Sequence, residues 1–190
     1  AKNIQRGRCK MELLNPLISE YTWANKPSVA PLGQIICVTD IGENGSLWRG
    51  NGTTWKRMSH ITYYGLSSTF SLTGTTLETT LLTIPIKGGL MGLGGRLQEL
   101  AFFTMTNNAN VKTLRAKIGG STIAIGTSSN LNATGFNFWL LNRNSQSSQY
   151  NNNATSFAID TSVDFDLVIT GQLANAADTL TLSALTLEAL

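Results

Sequence analysis

The sequence predicts an all-β protein, in which an extended N-terminal arm precedes a small β-meander module and a C-terminal antiparallel, jelly-roll-like β-sandwich. The chain of 190 residues contains 24 Thr, 17 Asn and 16 Ser, and the abundance of Thr favours strands over helices. Charged residues make up only 13%, about half the usual share, so the surface must be mostly neutral. From Thr69 onward, apolar and polar residues alternate without any helical period, as in half-buried strands.

Residues 1–33 are predicted to form the arm, because Pro27 and Pro31 flank a segment that can hold neither a helix nor a central strand. Four cations crowd into its first ten residues: Lys2, Arg6, Arg8 and Lys10. Such a cluster fits contact with an acidic protein surface or a nucleic acid, and equally a solvated terminus. Residues 61–190 carry six basic and seven acidic side chains, so the folded part has no basic face and nucleic acid is not an expected partner.

Residues 34–65 are predicted to form the meander module. Three short runs, Gln34–Thr39, Ser46–Arg49 and Thr53–Met58, are separated by turns that contain Asn44-Gly45 and Asn51-Gly52. Asn-Gly between β runs is a strong hairpin signal, since both residues adopt positive φ easily. Three such strands are too few to be stable alone, so the module must pack on something else or on copies of itself.

Residues 66–190 are predicted to form the sandwich, with long Asn- and Ser-rich loops such as Asn142–Asn153 between strands. The alternation places strands near residues 69–73, 76–86, 96–106, 111–118, 121–126, 136–141, 155–160, 163–172 and 179–189. The apolar phase slips by one residue between Ala184 and Leu185, which predicts a β-bulge in the last strand.

The strand near 96–106 departs from this pattern, because Leu100, Phe102 and Phe103 place apolar groups on both of its faces. A sandwich strand normally exposes one face to water. Its outer face is therefore expected to meet either the N-terminal arm or another copy of the chain, and we favour the second. Trp48 and Trp55 of the meander are the other candidates for such a subunit interface.

Few residues are suited to catalysis or metal binding. We therefore expect that the protein is not an enzyme and that it binds no metal and no cofactor. His60 is the one histidine, and no nucleophile elbow accompanies it. Cys9 and Cys37 cannot build a four-ligand zinc site; free thiols are favoured, with a single disulfide as the alternative. Asp164 and Asp166 share one side of a strand, which predicts solvated carboxylates, with a calcium site or glycosidase acids as alternatives.

Other site classes are disfavoured by what the sequence lacks. The glycine-rich residues 88–95 lack the Gly-Lys-Ser/Thr ending and the following helix of a phosphate loop, so they predict a flexible inter-strand loop. No apolar run reaches the roughly 18 residues of a membrane span, and no membrane association is expected. The chain begins with Ala, which fits both a longer protein and removal of an initiator Met.

Several segments resemble the fibre proteins of tailed bacteriophages. Val38–Lys56 is similar to their small β modules, and Leu82–Pro85, Gly92–Leu97 and Met105–Arg115 with the following Ile118–Gly120 resemble the start of the β-sandwich after such modules. The resemblance covers about residues 30–125. It implies a non-enzymatic homotrimer in the virion, as a head fibre, capsid decoration or tail fibre. Its partners would be capsid, tail or baseplate proteins, contacted through the cations of the arm.

The alternative within this reading is a host-surface adhesin that binds polysaccharide at the sandwich tip. Its candidate glycan-binding residues are Trp139, Asn142, Asn144 and Tyr150, since aromatic stacking and amide hydrogen bonds are what sugars require.

Overall fold

The computed structural model describes residues 18–41, 45–58 and 60–190, which contain fifteen strands. The chain divides into two compact units, one ending at Tyr63 and the other beginning at Tyr64. Our sequence-based boundary lay near Gly65. The four predicted anchoring cations Lys2, Arg6, Arg8 and Lys10, together with Cys9 and the turn residue Asn44, lie outside the described residues.

The first unit contains one four-stranded sheet, ordered β1-β2-β3-β4. Its strands are β1 (Ser19–Tyr21), β2 (Ile35–Val38), β3 (Ser46–Gly50) and β4 (Trp55–Arg57). The antiparallel series β2-β3-β4 is the predicted meander. β1 lies within the predicted arm and pairs with β2 in parallel. The backbone explains this, because β1 satisfies the polar groups that β2 would otherwise expose at the sheet edge.

The core of this unit is built on Trp48, which is buried together with Ile36, Val38 and Ile41. The ring of Trp23 packs on it with centroids 5.1 Å apart. Gly50 is required by a close approach: a Cβ there would lie 2.0 Å from the carbonyl oxygen of Pro31. The proline-flanked segment that the sequence placed in the arm therefore packs directly on β3.

The second unit contains a four-stranded sheet, ordered β10-β9-β14-β7, and a larger sheet, ordered β13-β12-β11-β8-β15-β5, in which β6 also pairs with β15. The unit boundary falls inside β5. The strands are β5 (Ile61–Gly65), β6 (Phe70–Leu72), β7 (Thr79–Ile86), β8 (Arg96–Met105), β9 (Lys112–Ile118), β10 (Ser121–Ser128), β11 (Ala133–Asn142), β12 (Gln149–Asn151), β13 (Ser156–Phe157), β14 (Phe165–Leu173) and β15 (Leu180–Ala189).

The two sheets of this unit pack face to face through alternating inward residues. A Cβ at Gly171 of β14 would lie 2.9 Å from Leu180 Cδ2 of the opposite sheet, and Asn151 Nδ2 of β12 donates a hydrogen bond to the carbonyl of Ile123 in β10 at 2.7 Å. The predicted all-β sandwich is confirmed. So is the bulge in the last strand, which lies between Leu182 and Ala184.

Besides β1, two strands lie where the sequence predicted none. β5 falls at the end of the predicted meander module, and β12 falls within the loop predicted for Asn142–Asn153. In β12 the polar side chains of Gln149 and Asn151 are buried and hydrogen-bonded. A pattern that assigns every Asn and Gln to the surface cannot detect such a strand.

Candidate oligomerisation face

The outer face of β8 presents two apolar side chains at the centre of the larger sheet. Phe102 is 51% exposed and Leu100 is 43% exposed. On the neighbouring strands, the residues paired with Phe102 are Gly135 and Ala184, which are too small to cover the phenyl ring. We call this surface, formed by Leu100, Phe102, Gly135 and Ala184, the β8 face. Its four residues are apolar and uncharged, and the residues paired with Leu100 on either side are the neutral polar Asn137 and Thr186.

The other residues predicted for a subunit interface lie elsewhere. Phe103 is fully buried inside its own sandwich, where its ring meets Phe136 edge-on at 6.4 Å. Trp48 is buried within the first unit, and its Nε1 donates to Ser46 Oγ. Trp55 is half-buried and donates from Nε1 to the carbonyl of Pro27 at 2.7 Å. Of the five predicted interface residues, the structure leaves Leu100 and Phe102 as the apolar side chains open to a partner.

The predicted glycan-binding residues divide into structural and exposed members. Asn142 is buried, and its amide nitrogen donates to the carbonyl of Gly92 and to Thr161 Oγ1. Its Oδ1 accepts a hydrogen bond from Gln149 Nε2 at 3.1 Å. The side chain of Asn142 is thus buried and hydrogen-bonded within the sandwich, where it offers no exposed amide to a sugar.

The remaining members of that group lie at the surface. Trp139 is half-buried on β11, and Tyr150 lies on β12 directly opposite Leu141, on the same side of the sheet. The guanidinium of Arg143 covers the Tyr150 ring at 4.3 Å. Asn144 is exposed and has a φ of 51°. Trp139, Leu141 and Tyr150 therefore form an amphipathic patch, here called the aromatic patch.

Two acidic side chains next to strands of the smaller sheet, Asp164 and Glu78, are held by ion pairs. Asp164 accepts hydrogen bonds from the backbone N–H of Gly88 and from Lys87 Nζ, both at 2.9 Å, and these lower its pKa. Glu78 is bonded to Lys117 and Thr170, with Arg115 Nη1 at 3.3 Å, and the Lys117 hydrogen bond is the main cause of its lowered pKa.

In the part of the chain that the structure describes, the calcium site that the sequence left open as an alternative finds no assembled ligand set. There, no three side chains of His, Cys, Asp or Glu are grouped closely enough to hold a metal ion. His60 is exposed. Cys37 is buried. Within the described ranges there is also no helix with the length and apolarity to cross a membrane.

Glu99 is a buried carboxyl group that the sequence analysis missed. It projects inward from β8, is completely inaccessible to solvent, and neither of its oxygens has a hydrogen-bond partner. Burial disfavours the charged form and raises the pKa of Glu99 to about 8. The signal was present in the sequence, because Glu99 shares its alternation phase with Leu97, Ala101 and Phe103.

Lys112 is a second buried ionisable residue that the sequence analysis missed. It is the first residue of β9, points inward with Leu114 and Ala116, and is fully buried. Its ammonium group contacts Asn108 Oδ1 at 2.5 Å, the carbonyl of Asn110 at 2.9 Å and Asp178 Oδ2 at 3.4 Å. A lysine, an asparagine side chain and an aspartate thus meet at one end of the sandwich interior.

Comparison with known proteins leaves the family open. No family model matches the chain, and no curated protein matches it. Among solved structures, it is similar to dimeric latent PorU from Porphyromonas gingivalis, with 11% identity over 68% of this chain and 13% of PorU and a TM-score of 0.34. It is also similar to the VP2 subviral particle of infectious bursal disease virus, with 11% identity over 73% of this chain and 38% of VP2 and a TM-score of 0.34. The chain spans well under two thirds of either protein, and likenesses this weak assign no function.

Proposed function

We propose that this chain is a non-enzymatic structural component of a tailed-phage virion: a short homotrimeric head fibre, decoration or tail fibre anchored by its N-terminal arm. The virion assignment and the number of three copies follow from the resemblance to phage fibre proteins over residues 30–125. The observation that carries self-association is the β8 face, where Leu100 and Phe102 are exposed on a central strand.

A single copy of the chain leaves the apolar surface of the β8 face exposed to water. A phenylalanine side chain buries about 150–250 Å² when fully covered, and Phe102 exposes half of its surface. Covering that half is worth about 2–3 kcal/mol per copy at about 25 cal/mol per Å². Leu100 adds a further contribution, and no charge on the β8 face has to be desolvated. Identical copies that meet through this surface gain that stabilisation in every subunit.

The test is the molar mass of the purified chain. We expect sedimentation equilibrium to give the mass of three chains, and the double substitution of Leu100 and Phe102 by Asp to give monomers. Ile125→Asp is the matched control, because Ile125 is 57% exposed on the other sheet and its replacement should leave the trimer intact. A monomeric wild type, or a double variant that keeps its trimer mass, would overturn the proposal.

The anchoring role of the arm is tested on particles. Deletion of residues 1–12 removes all four clustered cations, and we expect the shortened chain to stay folded but to be absent from purified virions. Replacement of only these four cations by Gln separates the effect of charge from the effect of length. Incorporation of both variants at wild-type levels would show that the arm does not attach the protein.

A second candidate function, glycan binding by the trimer, is favoured by the aromatic patch. Trp139 lies on the same face of the sheet as Leu141 and Tyr150, an arrangement on which a sugar ring can stack. On a glycan array, Trp139→Ala should then lose binding while Asn142→Asp should act only through stability. Absence of any glycan signal for the wild-type trimer would leave the purely structural role.

A further inference from the structure

The buried contact of Lys112 with Asn108 and Asp178 has the composition of a self-acylation site. A primary amine, a carboxamide and a carboxylate are the three groups needed to join a lysine to an asparagine. Lys112 is fully buried, and Asp178 is only 3% exposed. Water is therefore largely kept away from the amine and the carboxylate, while Asn108 is half-buried.

The three side chains come from two loops and from the first residue of β9, at one end of the sandwich. Asn108 lies in the connection between β8 and β9, Lys112 begins β9, and Asp178 lies just before β15. Asn108 Nδ2 donates to Asp178 Oδ1 at 2.7 Å. The contact between Lys112 Nζ and Asn108 Oδ1 leaves the amine one atom away from the carbonyl carbon. Such proximity converts a slow bimolecular step into an intramolecular one.

We infer that Lys112 and Asn108 form an intramolecular isopeptide bond from Nζ to Cγ, with release of ammonia and with Asp178 as the proton carrier. The Lys112 ammonium first gives a proton to the Asp178 carboxylate, and the resulting amine attacks Cγ of Asn108. As the tetrahedral intermediate collapses, the Cγ–Nδ2 bond breaks, and Asp178 returns its proton to the departing nitrogen. The second proton of the amine also leaves with that nitrogen, so ammonium is released and Asp178 is a carboxylate again.

The positions of the hydrogen-bonding groups match these roles. Asp178 Oδ2 has no hydrogen-bond partner and lies 3.4 Å from Lys112 Nζ, so it is available to accept the first proton. Asp178 Oδ1 already contacts the nitrogen that has to leave. The backbone N–H of Asn110 donates to Asn108 Oδ1 at 3.0 Å, where negative charge develops during the attack. Hydrogen bonding by Asn108 lowers the pKa of Asp178, which keeps it in the carboxylate form needed at the start.

Tryptic mapping of the denatured full chain tests the bond directly, because trypsin does not cleave after an acylated lysine. The unmodified chain gives the peptide Leu97–Lys112, since no other Lys or Arg lies between Arg96 and Lys112. The isopeptide instead gives Leu97–Arg115 with a mass lower by one ammonia, and fragmentation places the loss between Asn108 and Lys112. We expect this peptide to accumulate with time after folding.

Two variants and a control assign the roles. Asn108→Ser and Asp178→Asn should both restore cleavage after Lys112 and the full mass, while Asn107→Ala, next to the site and exposed, should change nothing. Complete cleavage after Lys112 in the aged wild type would overturn the inference and leave an ordinary buried ion pair. Loss of water instead of ammonia would also overturn it, since Asp178 rather than Asn108 would then supply the acyl group to Lys112. A succinimide at Asn108 has the same mass loss but permits cleavage after Lys112, and would likewise refute it.

Discussion

Substitution of Glu99 by Gln tests whether a neutral carboxyl group is enclosed in the sandwich. Burial raises the pKa of Glu99 to about 8 from its ordinary value of 4.5. Between these two pH values the folded chain holds a proton that the unfolded chain has released. The free energy of unfolding must therefore fall as the pH rises through this interval. Stability from this group is fully present below pH 4.5 and is lost as the pH approaches 8.

The magnitude follows from the width of the interval. Within this interval, each pH unit lowers the free energy of unfolding by about 1.4 kcal/mol. Glu99 therefore lowers the free energy of unfolding by about 3 kcal/mol at pH 7 and by about 4–5 kcal/mol at pH 8. Glu99→Gln cannot ionise and loses this dependence. A buried Gln also needs hydrogen-bond partners, and this requirement changes the unfolding free energy of the variant by the same amount at every pH. The prediction therefore concerns how the difference in unfolding free energy between the two proteins varies with pH.

Urea unfolding of wild type and Glu99→Gln at pH 5, 6, 7 and 8, at one protein concentration, measures that change. We expect the unfolding free energy of the variant, relative to that of the wild type, to rise by about 1 kcal/mol or more for each pH unit. A difference in unfolding free energy that stays constant from pH 5 to pH 8 would show that Glu99 is ionised or solvated in the folded chain. The reasoning from its burial would then be refuted.

Three further predictions use other parts of the fold. Glu78→Gln should lower the thermal midpoint at pH 7, and the loss should vanish at acidic pH, since the lowered pKa of Glu78 makes its contribution disappear as the pH falls. Asn142→Ala should lower the free energy of unfolding in urea by about 1–3 kcal/mol, because it leaves the buried partners of Asn142 without their hydrogen bonds, whereas Asn152→Ala, at an exposed position without a positive φ, should be nearly neutral. Gly50→Ala should abolish the tryptophan fluorescence signature of the first unit, while Gly94→Ala, where a Cβ meets nothing within 4 Å, should leave it unchanged.

The strands of the sandwich could be predicted because alternation reports which face of a strand is buried. β8, β9 and β14 begin and end within a few residues of their predicted positions, and the phase slip before Leu185 located the bulge. The same alternation separates Phe102 from Phe103, although the sequence analysis assigned both to the interface. Consecutive residues of a strand point to opposite faces, so only one of the two phenyl rings could be available to a partner.

The remaining features could not be predicted, because a pattern of residue types carries no information on which side chains meet. Glycine-rich residues 88–95 suggested a flexible loop, yet Leu90 and Met91 within it are buried. A Cβ at Gly95 would lie 1.8 Å from the Met91 carbonyl oxygen, so that glycine permits close packing. Asn142 was assigned to the surface for its polarity, but its amide binds groups that are distant in sequence.

The two faces of β8 make separate contributions to stability, and experiments can distinguish them. Glu99 points inward, so its replacement should change the unfolding free energy without altering the number of chains that associate. Leu100 and Phe102 point outward, and association of folded chains makes the unfolding midpoint depend on protein concentration. Asp at both outer positions should abolish that dependence, while Glu99→Gln should shift the midpoint and preserve it. Should Glu99→Gln instead change the sedimentation mass, the β8 face would depend on the protonation of the core beneath it.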